Sequence, residues 1–402
     1  MKNIFFGLPN EYFFLGLLIG FGFLNYSLPV FILGMFVFAI WRSFSFIRWE
    51  LHKVLVLTSI FLFYIFYYIF YQIPVTPVEW KFTGIDFYGH SLRFLPALFT
   101  FVFLLTLHSR KYRELFLVSV GFGMMLFAVL MTIATVIHFD PPYYGKSFHF
   151  YDRTEGNSPG ITVLANILPI AFLCFYPKVY LTPLKNVFQS LFALALLFLG
   201  LYINYLFSAR TFVFLIGINI TLILAFQIFS YYRKGKQINL KTILVASVST
   251  ILVILFTLFL LKDSFLIHRI LNQNFDVKIH HFLDYYANIK NGFFIYPKVD
   301  IEKSGTYWFH NVFFDAHRTS GPWTALSLYF YFAYTFVLAA YRTVKGDEIQ
   351  QRYLHLYINI FLLFVTCIPF ESSESQLMVI FIGIGGLIVT TSNSAYKLES
   401  GS

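Results

Sequence analysis

Twelve apolar runs, each near the length of a bilayer-crossing helix, follow one another along the 402 residues. A helix needs about 20 mostly apolar residues to cross the hydrocarbon layer. In that layer each backbone N–H and C=O must find its partner within the protein, which leaves helices or closed barrels. The runs fall at roughly 10–26, 28–46, 51–72, 92–108, 114–138, 160–179, 186–207, 211–231, 240–262, 322–342, 352–370 and 375–391. The chain is 58% hydrophobic and only 12% charged, where a soluble domain carries about 25% charge. The reading is all-α: a polytopic membrane helix bundle of about 12 transmembrane helices. Residues 1–397 form a single integral membrane domain, with 263–321 as a long periplasmic loop carrying short helices. The last five residues, 398–402, read as a vector-derived tail.

Lysine and arginine in the links set the orientation. With both termini inside, most of the 29 Lys and Arg residues fall on inside links, which are short and basic. The net charge of +10 then reflects a basic face meeting anionic lipid, and nucleic acid is not needed to explain it. Length accumulates outside, at 73–91, 139–159 and 263–321, so function is expected on the external face. Within the longest link, Phe282, Tyr285, Tyr286, Ile289 and Phe293 recur at helical spacing, with Asp284, Asn288 and Lys290 between them. That pattern fits a helix lying on the bilayer surface, or one packed on the protein's own loops.

Several chemistries are absent from the sequence. Cys174 and Cys367 sit inside apolar runs with no CxxC, which speaks against a disulfide framework or a cysteine metal site. HExxH and paired-aspartate metal motifs are missing, as are a Walker sequence and a dinucleotide fingerprint. No metal and no cofactor is expected. Gly383-Ile384-Gly385-Gly386 lies inside the last run and reads as a place of close helix packing. Lys2 and Glu11 are followed by no small-residue cleavage pattern, so the first run reads as its own insertion signal.

One polar string stands out: His310-Asn311-Val312-Phe313-Phe314-Asp315-Ala316-His317-Arg318-Thr319-Ser320-Gly321, just before a run begins. Charge of that density beside a bilayer is expensive and usually functional. Taken as a helix over 309–320, it places His310, His317, Arg318, Asn311 and Asp315 on one arc: an imidazole, an amide and a guanidinium together. Histidine titrates near working pH and suits proton transfer. The plainer reading is a solvated helix start with an internal Asp315–Arg318 pair. Arg210 closes a minimal external hairpin, Leu206-Phe207-Ser208-Ala209-Arg210, where the positive-inside rule disfavours it. Its flat fork of donors matches phosphate oxygens, although an arginine there also reads as snorkelling to the interface. Arg93, Arg153 and Arg269 lie near the outer ends of other runs. Tyr143, Tyr144, Trp308 and Trp323 offer faces for a sugar, or serve as ordinary interfacial aromatics.

The Ser208-Ala209-Arg210 turn entering a span, then a long external loop ending in His310-Asn311 and Gly321, resembles the O-antigen ligase and O-antigen polymerase superfamily. Asn157-Ser158-Pro159 leading to Ala165-Asn166 adds to the likeness, which runs over roughly 150–390. The resemblance implies a bacterial inner-membrane glycosyltransferase with a GT-C-like multi-span fold. Such an enzyme uses undecaprenyl-diphosphate-linked glycans on the periplasmic face without a metal. It implies His310 as the acceptor-activating base and Arg210, Arg318, Arg153 and Arg93 as diphosphate ligands. Asn311, Asp315, His317 and Arg269 would contact substrate. Implied partners are an undecaprenyl-diphosphate-linked oligosaccharide, membrane lipids and a chain-length-regulating protein, with no nucleic acid. The chain departs from the family early in the big loop, where Lys278, His280 and His281 stand in the zone of an expected arginine and tryptophan. Phe314 to Gly321 looks more like polymerases than ligases. A repeat-unit polymerase is therefore the leading expectation, a ligase acting on lipid A–core the alternative, and a transporter of lipid-linked sugars the reading from another class. A transporter would show internal repeats and polar residues at mid-bilayer; in the sequence, charge gathers at the outer end instead.

Overall fold

Backbone satisfied within each apolar run makes helices, and the computed structural model of the chain is mostly helical. It describes residues 8–22, 34, 37, 40–41, 47, 49–70, 87–107, 110–151, 153–156, 158–175, 183–233, 276–304, 308–345, 347–366 and 375–390. The helices are α1 (Leu8–Phe21), α2 (Leu51–Phe70), α3 (Phe87–Leu105), α4 (Arg110–His138), α5 (Pro159–Phe175), α6 (Pro183–Leu206), α7 (Thr211–Arg233), α8 (Asp276–Lys290), α9 (Ile301–Ser304), α10 (Val312–Lys345), α11 (Glu348–Thr366) and α12 (Ser375–Thr390). Between α4 and α5 a two-stranded antiparallel hairpin forms, β1 (Ser147–His149) and β2 (Thr154–Gly156), in the register Ser147↔Gly156.

Most of the expected runs are therefore helices. The run at 240–262, and all but scattered positions of that at 28–46, lie outside the described residues. So do Cys367 and Arg269. Among the described residues, three helices are long and apolar enough to cross a membrane: α2, Tyr112–His138 of α4, and α10. Shorter apolar stretches lie in α1, α3, α5, α6, α7 and α12.

The chain divides into two compact units, one of Met1–Gly123 with Phe275–Ser402, the other of Met124–Asn274. In the first, α2 and α10 run antiparallel. His52, at the start of α2, hydrogen-bonds Tyr334 at 2.7 Å, while Phe66, near its end, meets the Trp323 ring at 6.1 Å. α12 packs between α3 and α10. The glycines expected to allow close packing do so. A Cβ on Gly386 would stand 3.0 Å from the Phe101 carbonyl, and Gly385 lies under the Tyr331 ring. Tyr331 Oη then reaches the Ile382 carbonyl at 2.9 Å.

The helix ends read as inside converge at one end of this unit. Arg352 on α11 pairs with Glu114 on α4. The Ile388 carbonyl of α12 accepts from Arg342 of α10 and Gln350 of α11. Lys53 pairs with Glu50 at 3.8 Å. Lys53, Glu114 and Arg352 are buried, and each is held by the partner just named. Isolated buried charge would be prohibitive.

At the other end α10 is broken. Gly321 adopts φ 80°, ψ 179°, a conformation that L side chains rarely reach. Pro322 follows and has no N–H to continue the ladder. Thr324 Oγ1 donates to the Ser320 carbonyl at 2.9 Å, replacing part of what the ladder loses. Residues 322–345 span about 36 Å at 1.5 Å per residue, slightly more than the ~30 Å hydrocarbon layer. The preceding segment, 312–320, is a separate short helix.

The second unit centres on Ala128, Met131, Ile161, Ala165, Ile203 and Phe207. α5 packs on α6 and α7. Asn166, Asn204 and Asn219 are buried, and each amide nitrogen donates to the carbonyl four residues back.

A braced histidine turn at the head of a long helix

The polar string is not one helix from residue 309. The helix starts at Val312, because Asn311 is its cap. Asn311 Oδ1 accepts from the N–H groups of Phe313 (3.0 Å) and Phe314 (3.3 Å), which would otherwise lack partners at a helix start. Its amide nitrogen donates to the Val365 carbonyl at 3.3 Å. The expected arc, with His310 and His317 on one helical face, is therefore corrected: His310 lies in the turn before the helix.

That turn is unusual. His310 has φ 51°, the left-handed region that costs a non-glycine residue about 1–2 kcal/mol. Asp315 holds it there. One carboxylate oxygen accepts from the Phe309 N–H at 2.9 Å and the other from the Asn311 N–H at 3.3 Å, so the brace grips both sides of residue 310. The carboxylate is fully buried, at the positive end of the 312–320 helix. Arg318 Nε reaches Asp315 Oδ1 at 3.4 Å, the internal pair of the plainer reading. The helix start is packed into the protein, however, and is not solvated. Arg318 keeps 14% of its side chain exposed and His310 is half-buried, while Asn311, Asp315 and His317 are buried. Of the five, His310 and Arg318 are partly exposed and the other three are buried.

The α8 helix supplies groups that the sequence reading placed elsewhere. His281 is buried and stacks on His310, rings 5.7 Å apart and 20° from parallel. Tyr285, one turn on, stacks flat on Phe314 at 3.7 Å and hydrogen-bonds His317 Nδ1 at 2.9 Å. Burial pushes the Tyr285 hydroxyl up to about 12, so it stays protonated in any working buffer. Trp308 stands edge-on to His310 at 6.1 Å. Of the two readings of this segment, bilayer surface or packing on the protein's own loops, Tyr285 follows the second and faces the protein. The i, i+4 spacing of His281 and Tyr285 was the signal available.

Arg153 and Arg210 belong to the second unit. Arg153 is exposed in the β1–β2 turn with φ 57°, its N–H on the His149 carbonyl at 2.8 Å. His138 secures the hairpin, stacking on Phe148 at 3.9 Å and meeting Glu155 at 3.1 Å. Arg210 is half-buried in the turn between α6 and α7. Phe150 and Tyr151 of the hairpin pack on the cluster that holds Phe207, three residues before Arg210. The two arginines therefore mark the same end of that unit. Arg93 lies on α3. Among the described residues no group of three or more His, Cys, Asp and Glu is arranged to hold a metal ion.

No curated protein matches the chain. The family described as "Protein of unknown function (DUF1229)" matches residues 88–234 and 231–370, a span holding the hairpin, the Arg210 turn, α8 and the His310 turn. With well over half its length so matched, the chain belongs to that family.

Proposed function

We propose that this protein is a polytopic inner-membrane glycosyltransferase of about twelve spans, which polymerises undecaprenyl-diphosphate-linked repeat units on the periplasmic face. The observation that carries the reading is the His310 turn. A histidine is held in a costly backbone conformation by a buried carboxylate that also bears Arg318. Strain retained at one residue by a dedicated brace is a mark of functional sites. In this reading His310 takes the proton from a sugar hydroxyl of one lipid-linked unit. The freed oxygen attacks the anomeric carbon of a second, and the bond from that carbon to the diphosphate breaks. Undecaprenyl diphosphate leaves, its charge met by Arg318. Preorganised cations facing developing charge supply a large share of such catalysis. One displacement inverts the anomeric carbon. Asn311, Asp315 and His317 position His310 and Arg318. The basic end of the first unit faces the cytoplasm, and a chain-length-regulating protein sets the product size.

The test is His310→Ala in cells and as purified protein given lipid-linked repeat units without added metal. Loss of long chains with single repeats left on lipid supports polymerisation. Long polymer stranded on undecaprenyl diphosphate identifies a ligase of lipid A–core instead, and full-length product from the variant overturns the role of His310. One observation favours transport of lipid-linked sugars as a second reading: His355 and Asn359, at the middle of α11, are fully buried polar residues, and such residues mark pathways in membrane proteins. Product formed by detergent-solubilised protein, where nothing can be translocated, rules out transport alone.

A further inference from the structure

The outward face of α8 is apolar. Ile279, Phe282, Leu283 and Tyr286 are 49–62% exposed, and at 100° per residue they share an arc about 100° wide. The opposite side carries His281 and Tyr285, which grip the His310 turn and His317. The face is thus fixed in direction by what lies behind it. A second exposed apolar surface starts four residues past the end of α8. Phe294, 66% exposed, contacts the Trp323 ring at 5.6 Å. Trp323 begins an exposed stripe on α10 that runs through Leu326, Phe330, Val337, Tyr341 and Val344, the three-and-four spacing of a single helix face. On a helix long and apolar enough to cross a bilayer, that stripe is the lipid-facing side.

The level of α8 follows from its neighbours. Tyr296, in the segment after α8, hydrogen-bonds the Phe70 carbonyl at the end of α2 (3.4 Å) and lies against Gly321 at the α10 break. α2 has 20 residues, about 30 Å, the thickness of the hydrocarbon itself. The segment therefore stands where acyl chains give way to headgroups. Lys290, exposed in the last turn of α8, supplies a cation at that height.

We propose that α8 is an interfacial anchor, seated in the lipid bilayer surface through Ile279, Phe282, Leu283 and Tyr286, while its other face builds the His310 site. The occupant of this face is membrane lipid, the same environment as the exposed apolar stripe on α10, at the interfacial level set by the Tyr296 contacts. The proposal is independent of the reaction assigned to the site.

The test replaces Cys174 and Cys367 by Ala and introduces single cysteines at 279, 280, 283, 284 and 286. Nitroxide-labelled protein is reconstituted in phosphatidylethanolamine–phosphatidylglycerol vesicles. Accessibility to molecular oxygen, which concentrates in lipid, is compared with that to a water-soluble nickel chelate. Labels at 279, 283 and 286 are expected to favour oxygen severalfold over those at 280 and 284, with the nickel response in opposite phase. High nickel accessibility at 279, 283 and 286 means a face in water and overturns the proposal. Exclusion of both reagents there, with spin–spin broadening between labels, means a second copy of the chain covers the face and overturns it equally. Positions 279, 283 and 286 are exposed and 280 and 284 half-buried, so parental helicity of each labelled protein is checked by circular dichroism before the comparison.

Discussion

Two turns open two helices in this molecule with a non-glycine residue at positive φ, and they are held in opposite ways. Ser208, φ 52°, closes α6 before α7. Its N–H bonds the Tyr205 carbonyl at 3.1 Å, and the Ala209 N–H bonds the Asn204 carbonyl at 2.8 Å. That pair is the backbone closure by which many helices end, with glycine as the favoured residue at this point. His310, φ 51°, opens α10, and a side chain from the next turn clamps it on both flanks. A backbone closure tolerates any residue that bears the left-handed conformation. A side-chain clamp makes the conformation depend on one carboxylate. The comparison teaches that the His310 geometry is purchased by a specific residue, while the Ser208 geometry comes with ending a helix.

The largest effect should follow from removing the clamp. Asp315→Ala leaves the Phe309 and Asn311 N–H groups and the Arg318 guanidinium without their buried acceptor. Breaking a buried charged pair costs about 3–5 kcal/mol. A large drop in thermal unfolding temperature and loss of polymer are expected, with Asp315→Asn intermediate because an amide oxygen still accepts. An Asp315→Ala protein as stable as the parent would show that the turn holds itself.

A smaller effect separates strain from chemistry at residue 310. His310→Gly should be more stable than His310→Ala by about 1 kcal/mol, since glycine enters the left-handed region freely, yet both should be inactive. Equal stabilities would mean that the strain is not real. The smallest change is Ser208→Gly, which should stabilise the protein by up to about 1 kcal/mol and leave activity intact. Destabilisation by that variant would break the parallel, because it would give the Ser208 side chain a role the backbone closure does not need.

Much of this was readable from residue order, and the exceptions have causes. Helix positions followed hydropathy because a backbone in hydrocarbon has few alternatives; α2, α4 and α12 lie close to their apolar runs. Gly321-Pro322 marked the start of a span, and the break falls there. The helix start at Val312 was misread because Asn311 has two uses, as a polar site residue and as a cap, and periodicity does not choose between them. The direction of α8 was half legible. Phe282 and Tyr285 are both aromatic and suit either lipid or protein, so only the contacts of His281 and Tyr285 decided which way the helix turned. The Ser208 closure was hidden because serine stands where glycine usually announces it.

The interruption at Gly321-Pro322 has a mechanical consequence. A membrane-crossing helix tilts as bilayer thickness changes, and an unbroken rod would swing its outer tip through several ångströms. With the ladder cut, residues 312–320 are hinged to the rod instead of being its tip. In a bilayer, a change in lipid composition would rock the shaft and leave the His310 turn at its head in alignment.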